Sequence, residues 1–262
     1  MKLLFFGDIV GRVGRRALTA RLAELKESKQ ADFVIVNGEN AAGGFGIDLG
    51  TAKEMFAAGA DLLTSGNHIW QKKEIYRFLD EQSEKLIRPA NFPEGAPGKG
   101  CVHRQLADDV RLSVINIQGR VFIPDLVDCP FKTVDRILEE ECQDSDIIFV
   151  DFHAEATSEK VAMGFHLDGR VHAVVGTHTH VQTADERLLP QGTAFICDVG
   201  MCGPINSVIG AKADLIVERF KTARPVKFET AKGPAVLNAV VIDIDETTMT
   251  TRGIERICEY LD

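Results

Sequence analysis

Short apolar runs alternate with longer stretches of helical periodicity along the chain. Compact runs such as residues 3–6 predict buried strands, whereas Leu18, Leu22 and Leu25 recur at the spacing of one helix face. The predicted strands cover residues 3–6, 33–36, 61–64, 112–117, 147–151, 171–175, 194–197 and 236–244. The predicted helices cover residues 15–28, 49–58, 72–82, 131–142, 158–166 and 213–220. This alternation indicates an α/β fold built as a layered sandwich.

The pattern contains no internal repeat, low-complexity tract or linker that would divide the chain. A loop is predicted over residues 88–100, which hold three of the 9 prolines and three glycines. A polar, β-rich segment over residues 247–258 is typical of a late hairpin strand. We therefore predict one domain over residues 1–262.

The composition is that of a globular protein, with 45% hydrophobic and 26% charged residues. Because no run approaches the ~18 apolar residues of a membrane span, we expect no membrane partner. A net charge of −9 argues against binding long duplex nucleic acid but leaves a small anionic substrate open. The 6 cysteines form no Cys-x-x-Cys pair, and residues 1–6 lead into Asp8 rather than into a signal-peptide core. Both features predict a cytoplasmic protein.

Side chains that bind metals follow the predicted strands. His178 and His180 come soon after residues 171–175, and in extended backbone two residues spaced in this way face the same side. The carboxyl ends of strands are where open α/β sheets hold their ligands. The other candidates are Asp8, Glu39, Asn40, Asn67, His68 and His153. Any one of them alone is typical of a turn or a cap, but together they predict a metal site at one sheet edge.

Two other patterns carry less weight. Gly7, Gly11 and Gly14 lie between a strand and a helix, where they favour a turn after Asp8. They match neither the dinucleotide fingerprint nor the P-loop, so we predict no nucleotide cofactor. The isolated histidines are assigned no role: His103, His166 and His172.

The mixture of donors indicates which ions fit. Carboxylates, amide oxygens and imidazoles together suit divalent manganese, iron or zinc better than calcium or a thiolate cluster. Six or seven ligands are too many for one catalytic ion that keeps open positions, and they suit two ions. Two ions that share a carboxylate polarise a phosphoryl oxygen and stabilise an in-line displacement. The residues therefore predict a phosphoester hydrolase.

These residues lie in segments that resemble those of the calcineurin-like metallophosphoesterases, and most closely those of the YmdB-like subfamily. The segments are Phe6-Gly7-Asp8-Ile9-Val10-Gly11, Asn37-Gly38-Glu39-Asn40-Ala41-Ala42-Gly43-Gly44, Ser65-Gly66-Asn67-His68-Ile69-Trp70, Arg88-Pro89-Ala90-Asn91, Asn116-Ile117-Gln118-Gly119-Arg120, Asp151-Phe152-His153-Ala154-Glu155-Ala156-Thr157 and Gly176-Thr177-His178-Thr179-His180. They span almost the whole chain. The resemblance implies an α/β/β/α sandwich of the metallophosphoesterase type, with its active site at the carboxyl ends of the strands.

The resemblance also implies a role for each residue. Metal one takes Asp8, Glu39, Asn40 and His180, and metal two takes Glu39, Asn67, His153 and His178. Glu39 is then the bridging carboxylate, and His68 donates a proton to the leaving oxygen. The chain departs from the broad superfamily at two positions: Asp8-Ile9-Val10 stands where Asp-x-His is usual, and Gly38-Glu39-Asn40 stands where Gly-Asp-x-x-Asp is usual. The subfamily pattern implies that Asn40 fills the place of the missing histidine ligand. The implied cofactors are two metal ions, iron and/or manganese.

The implied function is hydrolysis of small phosphodiesters, foremost 2′,3′-cyclic nucleotides, by a metal-bridging hydroxide with His68 as general acid. A phosphomonoesterase with the same metal site is an alternative, as is a regulatory or RNA-associated protein that uses the fold mainly for binding. A nuclease on long RNA is a further alternative, although no basic and aromatic stripe in the sequence supports it. The sequence leaves open whether the chain forms a homo-oligomer. The candidate substrate contacts are Arg12, Arg15, Arg16, Asn91 and Arg120, for each of which a surface role is an equal alternative.

Overall fold

The computed structural model describes residues 1–106 and 110–262, which form two β-sheets packed face to face. The first sheet has seven strands: β1 (Lys2–Phe6), β2 (Asp8–Ile9), β3 (Phe33–Asn37), β4 (Leu62–Thr64), β11 (Met201–Pro204), β12 (Ala235–Asp245) and β13 (Thr250–Leu261). Their order is β2-β11-β12-β1-β3-β4, and β13 pairs with β12. The second sheet has six: β5 (Cys101–Gln105), β6 (Arg111–Gln118), β7 (Ile147–His153), β8 (Ala173–Thr177), β9 (Arg187–Leu188) and β10 (Ala194–Ile196), in the order β5-β6-β7-β8-β10-β9.

Helices cover the outer face of each sheet. The helices are α1 (Gly11–Lys29), α2 (Leu49–Ala58), α3 (Ile75–Glu81), α4 (Pro130–Glu140), α5 (Thr157–Leu167) and α6 (Ala213–Thr222). Residues of α1, α2 and α3 share a core with the first sheet, and residues of α4 and α5 share one with the second. A third core lies between the sheets. The predicted α/β/β/α sandwich is therefore confirmed.

The alternation of side chains along each strand explains these layers. In β1, Leu3 and Phe5 pack between the sheets, whereas Leu4 and Phe6 pack against the helices. All four side chains are fully buried, because successive residues of a strand point to opposite faces and both faces are covered. Phe5 meets Phe149 of the other sheet with ring centroids 5.3 Å apart. Strands of this kind are the continuous apolar runs visible in the sequence.

The parallel strands bring their carboxyl ends to one edge. In the first sheet β1, β3 and β4 are parallel neighbours, and in the second β6, β7, β8 and β10 are parallel. Helix α2 begins and ends at its predicted residues, because Asp48 forms a reciprocal capping box with Thr51 and Gly59 ends the helix at φ 114°. The loop from β3 to α2 is thereby fixed at this edge. No helix within the described ranges is long and apolar enough to cross a membrane.

Within the described ranges, four short strands were not predicted from the sequence: β2, β5, β9 and β11. Strand β5 is an edge strand whose later residues are polar, and β11 reads Met-Cys-Gly-Pro, so neither shows apolar alternation. The predicted strand over residues 171–175 is shifted to Ala173–Thr177. The predicted helix over residues 72–82 is shorter, at Ile75–Glu81, and follows a 3₁₀ turn at Ile69–Gln71.

Candidate metal centre

The predicted site residues meet at the carboxyl edge of the two sheets. A cleft of ≈ 350 Å³ is lined by Glu39, Asn40, His68, His178 and His180. Asp8 and His153 lie directly behind this lining, within 4 Å of its side chains, and Asn67 lies beside His153. The first sheet supplies Asp8 in β2, Glu39 and Asn40 after β3, and Asn67 and His68 after β4. The second sheet supplies His153, the last residue of β7, and His178 and His180 after β8. The site therefore straddles the two sheets.

Two carboxylates, those of Asp8 and Glu39, are buried at the centre of the site. Asp8 is 0% exposed and Glu39 is 1% exposed. Asp8 Oδ2 accepts a hydrogen bond from the His178 backbone N–H at 3.2 Å. Within the described ranges, Asp8 Oδ1 and both carboxylate oxygens of Glu39 have no such partner. Burial raises the pKa of Asp8 and raises that of Glu39 to about 7. Uncompensated buried carboxylates are costly unless a cation joins them, so this donor set fits a metal ion.

His153 Nε2 is the point on which several acceptor atoms converge. Glu39 Oε2 lies 2.7 Å from it, and Asn67 Oδ1 and His178 Nδ1 each lie 3.0 Å from it. One ring proton cannot satisfy three acceptors, whereas a shared cation can. Burial lowers the pKa of His153 to about 3 and, together with the neighbouring histidines, that of His178 to about 2. Both imidazoles are therefore neutral at physiological pH and offer lone pairs to a metal.

A buried network behind His153 fixes the orientation of its ring. Its Nδ1 lies 2.9 Å from Thr177 Oγ1, which donates to Asp151 Oδ1 at 2.8 Å. Asp151 also accepts from Thr64 Oγ1 at 2.6 Å and from Asn37 Nδ2 at 3.1 Å. The Thr177 hydroxyl donates its one hydrogen bond to Asp151 and can only accept from His153. The ring proton of His153 is therefore assigned to Nδ1, and the lone pair of Nε2 faces the site. Burial raises the pKa of Asp151 to about 7.

His180 and Asn40 form a second group beside Asp8. The amide nitrogen of Asn40 is 3.1 Å from His180 Nε2, and Asp8 Oδ1 is 3.9 Å from the same ring atom. His180 Nδ1 lies 2.9 Å from the carbonyl oxygen of Ile209 and donates to it. The Nε2 lone pair of His180 is therefore directed at Asp8 and Asn40.

The backbone of the two histidines is not extended, so our reason for expecting them on one side was wrong. Strand β8 ends at Thr177, and His178 and His180 have φ values of 100° and 67°. Thr179 between them is held by Asp198, whose Oδ2 accepts from the Thr179 N–H at 3.0 Å and from its Oγ1 at 2.6 Å. Non-glycine residues at positive φ are strained. Both imidazoles reach the site through this turn rather than through strand alternation.

Gly66 passes so close to the donors that a side chain cannot fit. A Cβ atom built there would lie 1.7 Å from Glu39 Oε2 and 2.4 Å from His153 Nε2. Real Cβ atoms essentially never approach other atoms this closely. The cradle around the two donors therefore requires glycine at this position.

His68 stands at the rim of the cleft beside an aromatic wall. Its Nε2 is 3.9 Å from Glu39 Oε1, and its side chain is 26% exposed. The ring meets Phe45 edge-on at 4.9 Å between centroids, and Phe45 lies 4.2 Å from Phe228. Both phenylalanines line the cleft.

Several residues around the cleft were missed by sequence reasoning. Asp151 had a local signal, because it lies two residues before His153 in a strand and so faces the same side. Glu155 lies in a segment that carried the resemblance, and its Oε2 is 3.1 Å from His178 Nε2. Phe228 follows no motif and is far from the others in sequence. Only the fold places it in the cleft.

The candidate substrate contacts lie outside the cleft lining. The Arg15 guanidinium donates to Glu54 and to the Ala41 carbonyl oxygen, each at 2.5 Å. Asn91 is buried and donates to the carbonyl oxygens of Gln118 and Asp128. These two residues stabilise loops. The remaining candidates are at least partly exposed: Arg12, Arg16 and Arg120.

Two packed sheets with this donor set at one edge define the metallophosphoesterase class of α/β sandwich. The chain belongs to the YmdB-like protein family, whose model matches residues 4–257. It is 51% identical to a Bacillus subtilis (strain 168) protein named 2′,3′-cyclic-nucleotide 2′-phosphodiesterase, over 98% of this chain and 96% of that one. The predicted family is thus confirmed, and so is the prediction of an enzyme.

Two solved structures have the same fold. A crystal structure of a hypothetical protein from Thermus thermophilus matches with a TM-score of 0.94 and 40% identity, and covers 100% of both chains. The crystal structure of a novel phosphatase from Mycoplasma pneumoniae matches with a TM-score of 0.94 and 37% identity, over 100% of this chain and 94% of that one.

Proposed function

We propose that the protein is a dinuclear metal-dependent phosphodiesterase that hydrolyses 2′,3′-cyclic nucleotides or similar small phosphodiesters. The observation that carries the proposal is that buried carboxylate oxygens of Asp8 and Glu39, without hydrogen-bond partners in the described part of the chain, lie among the imidazoles of three histidines, His153, His178 and His180. The activity named for the Bacillus subtilis relative supports the choice of substrate. Residues 1–262 are proposed to form one domain, and the cytoplasmic location stays a prediction.

Two groups of residues would hold the ions. One ion is proposed to take Asp8, Asn40 and His180, because Asn40 and Asp8 lie beside the His180 ring. The other is proposed to take Asn67, His153 and His178, because Asn67 and His178 lie beside the His153 ring. Glu39 is proposed to serve both groups. The donors include no thiolate, which favours iron or manganese over softer ions. When bound, the ions would supply Lewis-acid activation of the phosphoryl group and of the attacking water.

The remaining residues in and around the cleft are proposed to donate a proton, to orient the ligands and to bind the base. His68 at the rim is proposed to give a proton to the leaving ribose oxygen. The Asp151–Thr177 network holds the His153 ring, and the turn at Thr179 holds His178 and His180. Phe45 and Phe228 present an apolar wall beside the metal-binding groups, where the face of a nucleobase would stack.

Replacing Asn40 with aspartate is expected to weaken phosphodiester binding by about tenfold, or ~1.4 kcal/mol. The change adds a negative charge beside His180 without changing the size of the side chain, and the substrate is an anion. Titration with a non-hydrolysable diester analogue measures the Kd, and elemental analysis of the same sample checks the metal content. Undiminished analogue binding in a variant that keeps its metals would contradict this electrostatic argument.

Replacing Phe228 with alanine is expected to raise KM for 2′,3′-cyclic AMP by about tenfold, because stacking contributes ~1–3 kcal/mol per base. Ribose 2′,3′-cyclic phosphate has no base, so its hydrolysis should be unaffected by this change. Phe220→Ala is the matched control, since that side chain is 81% exposed on α6. An equal loss of activity on 2′,3′-cyclic AMP and on ribose 2′,3′-cyclic phosphate would mean that Phe228 stabilises the loop and does not stack on the base.

The proposed function is tested by a substrate panel on protein of measured metal content. The panel contains 2′,3′-cyclic AMP, 3′,5′-cyclic AMP, bis-p-nitrophenyl phosphate and p-nitrophenyl phosphate. We expect the highest kcat/KM on the 2′,3′-cyclic nucleotide. Preference for the monoester would favour the phosphomonoesterase alternative, which agrees with the description of the Mycoplasma pneumoniae protein as a phosphatase. Absence of all four activities in metal-loaded protein would favour a binding role.

A further inference from the structure

A second set of metal-binding side chains lies beside the six-stranded sheet, away from the cleft lining. Cys101 and His103 alternate along the edge strand β5, so they share a face, and Cys142 follows the end of α4. One ligand atom from each lies within 4.8 Å of the other two. The spacing in sequence offered no sign of this cluster, because β5 and the end of α4 meet only through the fold.

The surroundings of the cluster suit a bound ion. Cys101 is 7% exposed and Cys142 is 4% exposed, and both thiols are free. His103 Nδ1 is held by Ser113 Oγ at 2.7 Å, and Ser113 Oγ lies 2.5 Å from Ser145 Oγ. Hydrogen bonds that orient a histidine ring in this way are typical behind metal ligands.

The two thiols lie close together and affect each other's ionisation. The Cys101, Ser113 and Ser145 side chains lower the pKa of the Cys142 thiol, whereas burial acts in the opposite direction. The contact with Cys142 and burial raise the pKa of the Cys101 thiol. A soft divalent ion would displace the thiol protons, since it binds thiolate rather than thiol.

We propose that Cys101, His103 and Cys142 bind a zinc-class divalent ion, with a water or another small ligand in the fourth position. Two thiolates and one neutral imidazole are ligands that zinc prefers, and two negative charges balance the ion. The buried cluster then carries no net charge. The ion would connect the edge strand β5 to the end of α4. This site is separate from the oxygen and nitrogen donors of the cleft and does not depend on the proposed function.

Cobalt(II) is the probe that separates the two sites, because thiolate ligands give it an intense charge-transfer band in the near ultraviolet. We expect the full chain to develop this band as one equivalent of Co²⁺ binds. Cys101→Ser should abolish the band and leave phosphodiesterase activity unchanged, whereas the exposed Cys258→Ser should keep it. His178→Asn should also keep the band, because it alters only the cleft.

Alkylation of the unmutated chain gives a second measurement that does not depend on a variant folding. We expect Zn²⁺ to slow iodoacetamide labelling of Cys101 and Cys142 but not of Cys258, and a chelator to reverse the protection. Absence of the cobalt band together with labelling unaffected by Zn²⁺ would overturn the proposal. A Cys101–Cys142 disulfide that forms in air in the presence of Zn²⁺ would also overturn it.

Discussion

Replacing His68 with alanine is expected to lower kcat on a 2′,3′-cyclic nucleotide by ~10²–10⁴-fold without changing the metal content. The imidazole stands at the rim of the cleft, 3.9 Å from the Glu39 carboxylate, and on the proposed assignment it gives a proton to the oxygen that leaves phosphorus. A ribose alkoxide is a poor leaving group and requires this proton. The measurement is kcat at saturating substrate, together with elemental analysis of the purified variant.

The leaving group provides the control for this assignment. p-Nitrophenolate departs without a proton, so hydrolysis of bis-p-nitrophenyl phosphate should fall far less in His68→Ala than hydrolysis of the cyclic nucleotide. Equal losses on both substrates, with metals retained, would show that His68 is not the general acid. Loss of metal would instead make it a ligand.

Gly66→Ala is expected to abolish metal binding in the cleft and, with it, activity. The added methyl group would lie 1.7 Å from Glu39 Oε2 and 2.3 Å from His153 Cδ2, so at least one of these donors has to move. Donors that hold a metal have little freedom to shift, because ligand distances vary by only about 0.2 Å. Metal content by elemental analysis and kcat/KM on the cyclic nucleotide should fall together.

Gly253→Ala is the matched control for this methyl group. Gly253 lies in β13, where an added Cβ would meet nothing within 4 Å. The Gly253→Ala variant should therefore retain the metal content and activity of the unmutated protein. Circular dichroism of Gly66→Ala shows whether the fold persists. A folded Gly66→Ala protein with full metal content would rule out the proposed position of one ion between Glu39 and His153.

The sequence predicted the parts of this fold that local patterns determine. Buried parallel strands are apolar on both faces, so β1, β3 and β7 appear as continuous runs. Helix α2 carries its own start and stop signals in Asp48 and Gly59, so its predicted bounds were correct. The candidate ligands could be named because each lies at or soon after the end of a predicted strand, and the parallel order brings those strand ends together.

The features of the site and fold that could not be predicted from the sequence depend on contacts between distant segments. The turn that aims His178 and His180 is held by Asp198, which no local pattern connects to them. Phe228 contacts Phe45 only because the segment that follows α6 folds back to the cleft. The sequence of edge strand β5 is partly polar and therefore resembles a loop. Only its pairing with β6 in the folded chain identifies it as a strand.

On the proposed assignment, the position of the cleft between the two sheets would tie metal supply to the lifetime of the protein. One ion would join Asp8 of the first sheet to His180 after β8, and the other would join Asn67 to His153. Each ion would therefore hold together two halves that otherwise meet through apolar packing. Ligands that bind only the folded state stabilise it by mass action, by ~2.7 kcal/mol at a hundredfold excess over Kd. In cells starved of metal, the same chain would open more often and be degraded sooner, so its abundance would follow the metal that its chemistry requires.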